Sequence, residues 1–332
     1  MKIIFFEVQE WEKDILSKQY PNAVYTSDTL SKEMAHLYQD ADIISPFIYS
    51  DCSKDTLSLL PQLKMVATRS TGFDHIDLTY CKEHNITVCN VPEYGSRTVA
   101  EYTFALLLTV SRRMYDGIEQ SKKCDFDHTR IQGIDLFGKT LGVIGLGKIG
   151  IEVVKIANGF GMKVLVNARK QDKTLSDQFG FTYATLEDIL KQSDVLTLHL
   201  PDVESTHHTI NINNVMLCKP GTILINTARG GLIQTEAILL GLEKGILKGV
   251  GLDVLEEEKN LSEEAEIIAA HPQHSMDFKT LCIDHVLIHH PKVVVTPHNA
   301  FNSHEALVRI VQTTMDNIDA FMKGAAANTV AA

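Results

Sequence analysis

Between Lys139 and Arg169 the chain reads KTLGVIGLGKIGIEVVKIANGFGMKVLVNAR, and few folds can accommodate this stretch. Thr140 to Ile144 is a short apolar run with the character of a buried parallel strand, and it leads directly into Gly145, Gly147 and Gly150 in a G-x-G-x-x-G arrangement. Ile149, Val153, Val154, Ile156 and Ala157 then recur at helical steps, and Lys163 to Val166 reads as a second strand. The spacing therefore predicts a complete βαβ unit. In such a unit the first glycine permits the tight turn, the second lets backbone approach a pyrophosphate, and the third lets helix pack on strand. The phosphate meets the free N–H groups of the helix N-terminus. A glycine triplet in a loop can be a plain structural turn; between a strand and a helix it predicts a dinucleotide site.

The chain has 332 residues, more than one core usually holds, so two domains are expected. A formal net charge of −11 argues against nucleic acid or an anionic membrane surface as the main partner. The six cysteines form no C-x-x-C pair, which fits reduced thiols in a cytoplasmic enzyme. Residues 1 to 6 read as a first strand rather than a secretory signal, and no apolar run reaches membrane-spanning length. The expectation is a soluble cytoplasmic protein with no membrane partner.

Up to about residue 95, short apolar runs alternate with amphipathic stretches. Ile3 to Phe6, Val24 to Thr26, Asp42 to Ser45, Lys64 to Thr68 and Thr87 to Val91 read as strands; Trp11 to Lys18, Leu30 to Tyr38 and Thr56 to Leu60 carry helical spacing. This pattern predicts a small α/β domain with a parallel sheet. Ser70, Thr71 and Gly72 follow the fourth run, where a loop of small residues is either an anion-binding set of N–H groups or a plain turn. Thr98 to Met114 is a long apolar stretch containing Glu101 and closed by Arg112 and Arg113, so it predicts a buried helix crossing between domains. Asp194 to Leu200, Thr222 to Asn226, Leu247 to Asp253 and Val293 to Thr296 continue the second sheet, and residues 303 to 322 form a last amphipathic helix. The segment from Glu256 to Pro291 bears His271, His274, His285, His289 and His290, but no ligand spacing repeats and no metal site is expected.

In open parallel sheets, ligands sit outside the carboxyl ends of the strands. Three later strands each end near a strong polar group: Arg229 after Thr222 to Asn226, Glu258 after Leu247 to Asp253, and His298 after Val293 to Thr296. Taken singly, Arg229 can be a surface charge, Glu258 one of three consecutive glutamates and His298 a capping residue. Together they meet a chemical need. A hydride leaves an alcohol carbon only if the hydroxyl proton is also removed, and histidine titrates in the right range for that task. A carboxylate beside it favours the imidazolium, and an arginine can grip a substrate carboxylate through two parallel bonds.

At this point the chain resembles the D-isomer-specific 2-hydroxyacid dehydrogenases over almost its full length. The segments that carry the resemblance are ATRSTGFDHID, NVPEYGSRTVAE, GKTLGVIGLGKIG, SDVLTLHLP, INTARGGLI, GVGLDVLEEEK and TPHNAF, in that family's order. It implies two Rossmann-like or flavodoxin-like domains with parallel sheets and an active site in the cleft between them. Residues 1–99 with 299–332 would bind substrate and 100–298 the dinucleotide. It implies that Arg229 binds the 2-oxo acid carboxylate, His298 is the acid/base and Glu258 supports the imidazolium, with Glu256 and Glu257 as fallbacks. Ser70, Thr71 and Gly72 would donate N–H groups to substrate, while Tyr94 and Phe301 border its pocket. To the cofactor it assigns Thr98, Gly145, Gly147, Lys148, Ile149, Gly150, Asn167, Ala168, Arg169, His199, Leu200, Pro201, Thr206, Thr227, Ala228 and Asp253, the last holding the nicotinamide amide. The lengthened segment before His298, with LLLTVSRRM and HNAFNSHEAL, looks most like the D-lactate dehydrogenase branch.

One position departs from the family. Eighteen residues after Gly150, NAD-preferring members carry an acidic residue for the adenosine ribose, and here that position is Ala168, followed by Arg169. An acidic residue would repel a 2′-phosphate and an arginine would pair with one, so the expected cofactor is NAD or NADP, with NADP favoured. The expected reaction is reduction of a small, pyruvate-like 2-oxo acid to the D-2-hydroxy acid. The alternatives are a glyoxylate or hydroxypyruvate reductase using NADPH, or a non-catalytic NAD(P)-sensing protein of the same fold. A homodimer is expected, because Thr98 to Met114 has more apolar surface than a connecting helix needs.

Overall fold

The computed structural model describes residues 1–256, 258 and 278–330. Two compact units emerge: Met1–Gly95 with Asn302–Ala332, and Ser96–Phe301.

The first unit is built on five short, almost wholly apolar strands. They are β1 (Ile3–Phe5), β2 (Val24–Tyr25) after helix α1 (Glu10–Gln19), β3 (Ile43–Ser45), β4 (Met65–Ala67) after the single turn α2 (Lys54–Leu57), and β5 (Thr87–Cys89) after α3 (Leu78–Glu83). All pair in parallel in the order β2-β1-β3-β4-β5, a doubly wound arrangement. Successive strand residues point to opposite faces: Ile4, Ile44, Val66 and Val88 enter one core and Ile3, Phe5, Ile43, Met65 and Ala67 the other. Of the stretch Leu30 to Tyr38, only Ala35–Tyr38 winds, as a 3-10 turn.

The second unit begins with α4 (Ser96–Ser111) and α5 (Met114–Lys122). The apolar stretch expected as one helix is broken at Arg113, which takes a left-handed φ of 50°. Then follow β6 (Thr140–Ile144), α6 (Lys148–Gly159), β7 (Lys163–Asn167), α7 (Lys173–Phe179), β8 (Thr182–Tyr183), α8 (Leu186–Gln192), β9 (Val195–Leu198), β10 (Thr222–Asn226), α9 (Thr235–Glu243), β11 (Leu247–Leu252), α10 (Phe278–Ile288) and β12 (Val293–Val295). The sheet order is β12-β11-β10-β9-β6-β7-β8, again all parallel. Every connection therefore crosses over through a helix or long loop, and β6 and β9 flank the point where the winding reverses. Leu141, Val143, Val153, Val154 and Ile225 fill one face with α4 and α6, and Ile144, Leu196, Leu224 and Val250 the other.

The last helix, α11 (His304–Met322), belongs to the first unit: its Val311, Met315 and Ile318 close the core that holds Phe5 and Leu16. Ser303 caps it by accepting from the Ala306 N–H. Among the described residues no helix is long and apolar enough to cross a membrane, and the six cysteines are free.

Candidate active site

The glycine turn sits at the carboxyl end of β6. Gly145 has φ +101°, a left-handed conformation that favours glycine, and its N–H donates to the Asn167 carbonyl. A Cβ on Gly150 would run into the Gly145 carbonyl oxygen, whereas one on Gly147 would meet open space. Gly147 N-caps α6 without a side-chain bond to the first turn, so that turn presents backbone donors and the positive end of the helix dipole. Across the switch point, His199 is buried, with Nε2 2.9 Å from Thr197 Oγ1 and Nδ1 lacking any partner among the described residues. Burial pushes its imidazole down to about 3, so it is neutral at physiological pH. A cradle open above Gly147 and an unpaired buried ring nitrogen fit a dinucleotide at this edge.

The other residues expected to meet the cofactor lie along the same edge. Asn167 Nδ2 donates to the Ala184 carbonyl, Ala168 packs on the apolar core, and Arg169 is exposed with no hydrogen bond or ion pair among the described residues. Leu200 lies against Gly145, and Thr206 Oγ1 donates to the Pro201 carbonyl at 2.5 Å. The Thr227 hydroxyl lies 2.8 Å from Thr103 Oγ1 of α4. Lys148 and Ile149 occupy the first turn of α6, and Thr98 the first turn of α4.

Arg229 follows β10 in extended backbone (φ −144°). The turn that carries it is shaped by Asn226, buried at the strand's end, whose amide donates to the Arg229 carbonyl at 2.8 Å and accepts from the Ala228 N–H at 3.0 Å. Its Nη1 donates to the Ala228 carbonyl, leaving the other guanidinium donors uncommitted among the described residues.

His298 follows β12, and its Nδ1 lies 2.7 Å from Glu258 Oε1. Glu258 Oε2 in turn accepts from the Leu255 N–H at 3.2 Å. The pair is partly exposed, 41% for the His298 side chain and 35% for that of Glu258. Of the fallbacks, Glu256 faces His208 instead, and Glu257 lies outside the described residues. The Phe301 ring stands edge-on to His298 with centroids 6.5 Å apart.

Asp253 braces this turn. Its Oδ1 accepts from Thr296 Oγ1 at 2.6 Å and the Asn299 N–H at 2.9 Å, and its Oδ2 from the Ala300 N–H at 2.8 Å. Its carbonyl takes the His298 N–H at 2.9 Å. Those bonds hold His298 at a left-handed φ of 48°, an uncommon conformation for a non-glycine residue that the surroundings must enforce. Burial pushes the Asp253 carboxyl upward, against the downward pull of these three donors.

In the first unit, the N–H groups of Ser70, Thr71 and Gly72 donate to no other described residue. The loop is fixed instead by side chains: Ser70 Oγ donates to the Gly72 carbonyl and Thr71 Oγ1 to the Val91 carbonyl, both at 2.6 Å. Tyr94 offers its carbonyl to Arg309 Nε at 2.7 Å. The residue before the loop, Arg69, is 1% exposed; it donates to the carbonyls of Ser45 and Phe6 and stands 3.4 Å from Glu12. Arg69 is not recognisable from sequence as a support of this loop, because its partners come from α1, β3 and the residue that follows β1.

Metal-ligating atoms gather at one further place among the described residues, His207, His208 and Glu256. The two rings stack with centroids 3.9 Å apart, His207 Nδ1 lies 3.2 Å from Asp202 and His208 Nε2 2.6 Å from Glu256. His271 and His274 lie outside the described residues; His289 Nδ1 lies against the His285 carbonyl and His290 Nδ1 accepts from the Lys292 N–H.

A sheet of Rossmann order with a glycine turn at the switch point, and a histidine–carboxylate pair on the same edge, define a dinucleotide-dependent oxidoreductase. The family comparison agrees: residues 104–300 match the D-isomer specific 2-hydroxyacid dehydrogenase, NAD binding domain. The chain belongs to that family. It is 35% identical to the crystallised D-lactate dehydrogenase of Aquifex aeolicus in complex with NAD and lactic acid, with a TM-score of 0.84 over 97% of this chain and 96% of that one. It is 31% identical to an aromatic 2-oxoacid reductase of Clostridium sporogenes (99% of this chain, 98% of the relative). It is 32% identical to a glyoxylate reductase of Thermococcus litoralis (96% and 88%).

Proposed function

We propose that this protein reduces a small, pyruvate-like 2-oxo acid to the D-2-hydroxy acid. The observation that carries the reading is the His298–Glu258 pair at 2.7 Å, on the same sheet edge as the glycine turn and Arg229. A reduced nicotinamide, when bound, would supply the hydride for the substrate's C2. Arg229 holds the substrate carboxylate through its uncommitted guanidinium donors and polarises the carbonyl. His298 gives a proton to the carbonyl oxygen as the C–O π bond breaks, and Glu258 offsets the positive charge on the ring beforehand. In the reverse direction His298 takes the hydroxyl proton. Ser70 to Gly72 donate N–H groups to the substrate, Tyr94 and Phe301 border its alkyl group, and Asp253 adds an acceptor for the nicotinamide amide.

The family and the NAD-bound relative support NAD(H) as cofactor. Exposed Arg169 beside Ala168 supports use of NADPH as well, through pairing with a 2′-phosphate. A second reading is reduction of glyoxylate or hydroxypyruvate with NADPH; the Thermococcus relative, a glyoxylate reductase, supports the glyoxylate part of it. Cytoplasmic residence and a homodimer complete the proposal. The apolar side of α4 is used within its own unit, so a partner would be met by α5, where Met114, Tyr115 and Ile118 are exposed. The test is a spectrophotometric assay of 2-oxo acids with each reduced dinucleotide, and sizing of the active species.

A further inference from the structure

Glu256 stands two residues before Glu258, and its carboxylate ties its own segment to two others, with a fourth joined through Thr235. Oε1 lies 2.6 Å from His208 Nε2. Oε2 accepts from the Thr235 N–H at 3.0 Å and from Thr235 Oγ1 at 2.8 Å. That hydroxyl also lies 3.3 Å from Oδ1 of Asp284, a fully buried carboxyl on α10. Thr235 opens α9, whose N-cap Gln234 makes no side-chain capping bond. Glu256 therefore serves as a capping carboxylate from a distant part of the sequence, favoured by the helix dipole.

The tether matters because of what the neighbouring backbone does. The Leu255 N–H donates to Glu258 Oε2, which orients that carboxylate toward His298. The Leu255 carbonyl, in the peptide that joins Leu255 to Glu256, packs so closely on Gly230 that a Cβ there would run into it, so the turn carrying Arg229 rests on the next peptide along. Anchoring Glu256 thus fixes the two successive peptides on either side of the Leu255 Cα, one supporting the proton-transfer pair and the other the carboxylate clamp.

We propose that Glu256 is the positioning residue for the site, fixing Glu258 against His298 and Arg229 in its turn; this rests on the reaction proposed above. The ionisable groups facing Glu256 are His208 and Asp284, with His207 stacked on His208 and Asp202 beside His207; those facing His298 are Glu258 and Asp253.

Glu256→Ala is expected to lower kcat roughly 10- to 100-fold, the usual penalty of a sub-ångström misplacement of reacting groups, and to raise KM while cofactor affinity stays unchanged. Glu256→Gln keeps an acceptor for Thr235 and should restore most of the rate. Thr235→Val, which removes one tether, should show a smaller loss of the same kind and serves if Glu256→Ala does not fold. The ring resonances of His298, assigned by NMR with His298→Asn, report on positioning without turnover: they should shift in Glu256→Ala and return in Glu256→Gln. A folded Glu256→Ala with unchanged kcat, KM and His298 resonances overturns the proposal. A wild-type protein that turns over no 2-oxo acid counts against the proposed reaction, while the His298 resonances still decide the role of Glu256.

Discussion

His298 Nδ1 and Glu258 Oε1 meet at 2.7 Å although forty residues separate them in the sequence. The pairing of β11 with β12 brings them together: Leu252 stands beside Val295, so the chain leaving each strand emerges at the same edge. His298→Ala is expected to reduce 2-oxo acid turnover by roughly 10²- to 10⁴-fold, the range for loss of a general acid, with dinucleotide affinity retained. Glu258→Gln should leave slower turnover, since a neutral amide keeps a hydrogen-bond partner for the ring but carries no charge opposite it. Stopped-flow rates across pH check both; undiminished turnover in His298→Ala would remove it from the chemistry.

Arg229→Lys keeps the charge but loses the planar fork. With its carbonyl held by Asn226 and one nitrogen already committed to Ala228, the guanidinium has a fixed direction that an ammonium cannot reproduce. The expected result is a fall in kcat/KM of about 10- to 100-fold, worth roughly 1.4 to 3 kcal/mol. Initial-rate kinetics at saturating cofactor measure it.

The fold is legible in the sequence wherever burial writes a pattern. Strands such as Thr222–Asn226 and Val195–Leu198 are buried at every position and appear as short runs in which apolar residues predominate. Strand β8 is not legible: Thr182–Tyr183 is a two-residue edge strand with one residue exposed and one partly buried, too short to show a period. The break at Arg113 is hidden too, because the same apolar spacing continues into Met114 and Ile118. Arg229, Glu258 and His298 stand out because each follows a strand on one sheet edge. Asn226, Thr235, His208 and Arg69 do not, since their roles consist of hydrogen bonds to partners that only the folded chain brings near.

The adenosine end of the site is testable by charge. Ala168 lies partly buried at the end of β7 with Arg169 exposed after it. Ala168→Asp is expected to weaken NADPH binding by roughly tenfold or more, about 1.4 kcal/mol, while NADH binding holds or improves. Fluorescence titration with both dinucleotides provides the comparison, and equal losses for the two would argue that the position does not face the ribose.

Buried His199 makes stability depend on pH. Its folded-state value lies near 3 against an ordinary 6.5, so below about pH 6.5 the unfolded chain takes up a proton that the folded chain refuses. Stability is therefore lost as pH falls through 6.5 and goes on falling toward 3. Between pH 7 and pH 5 this group should cost roughly 2 kcal/mol. In denaturant melts of the cofactor-free protein, His199→Asn should show a shallower acid loss; an identical slope would mean that the ring is protonated in place.

The most direct test of the account is to incubate the protein with pyruvate, glyoxylate and hydroxypyruvate, each with NADH and with NADPH, following dinucleotide oxidation and resolving the lactate and glycerate products by chiral chromatography. The account predicts rapid oxidation with pyruvate and accumulation of D-lactate. Tight dinucleotide binding with no oxidation by any 2-oxo acid, or an L-configured product, would contradict it.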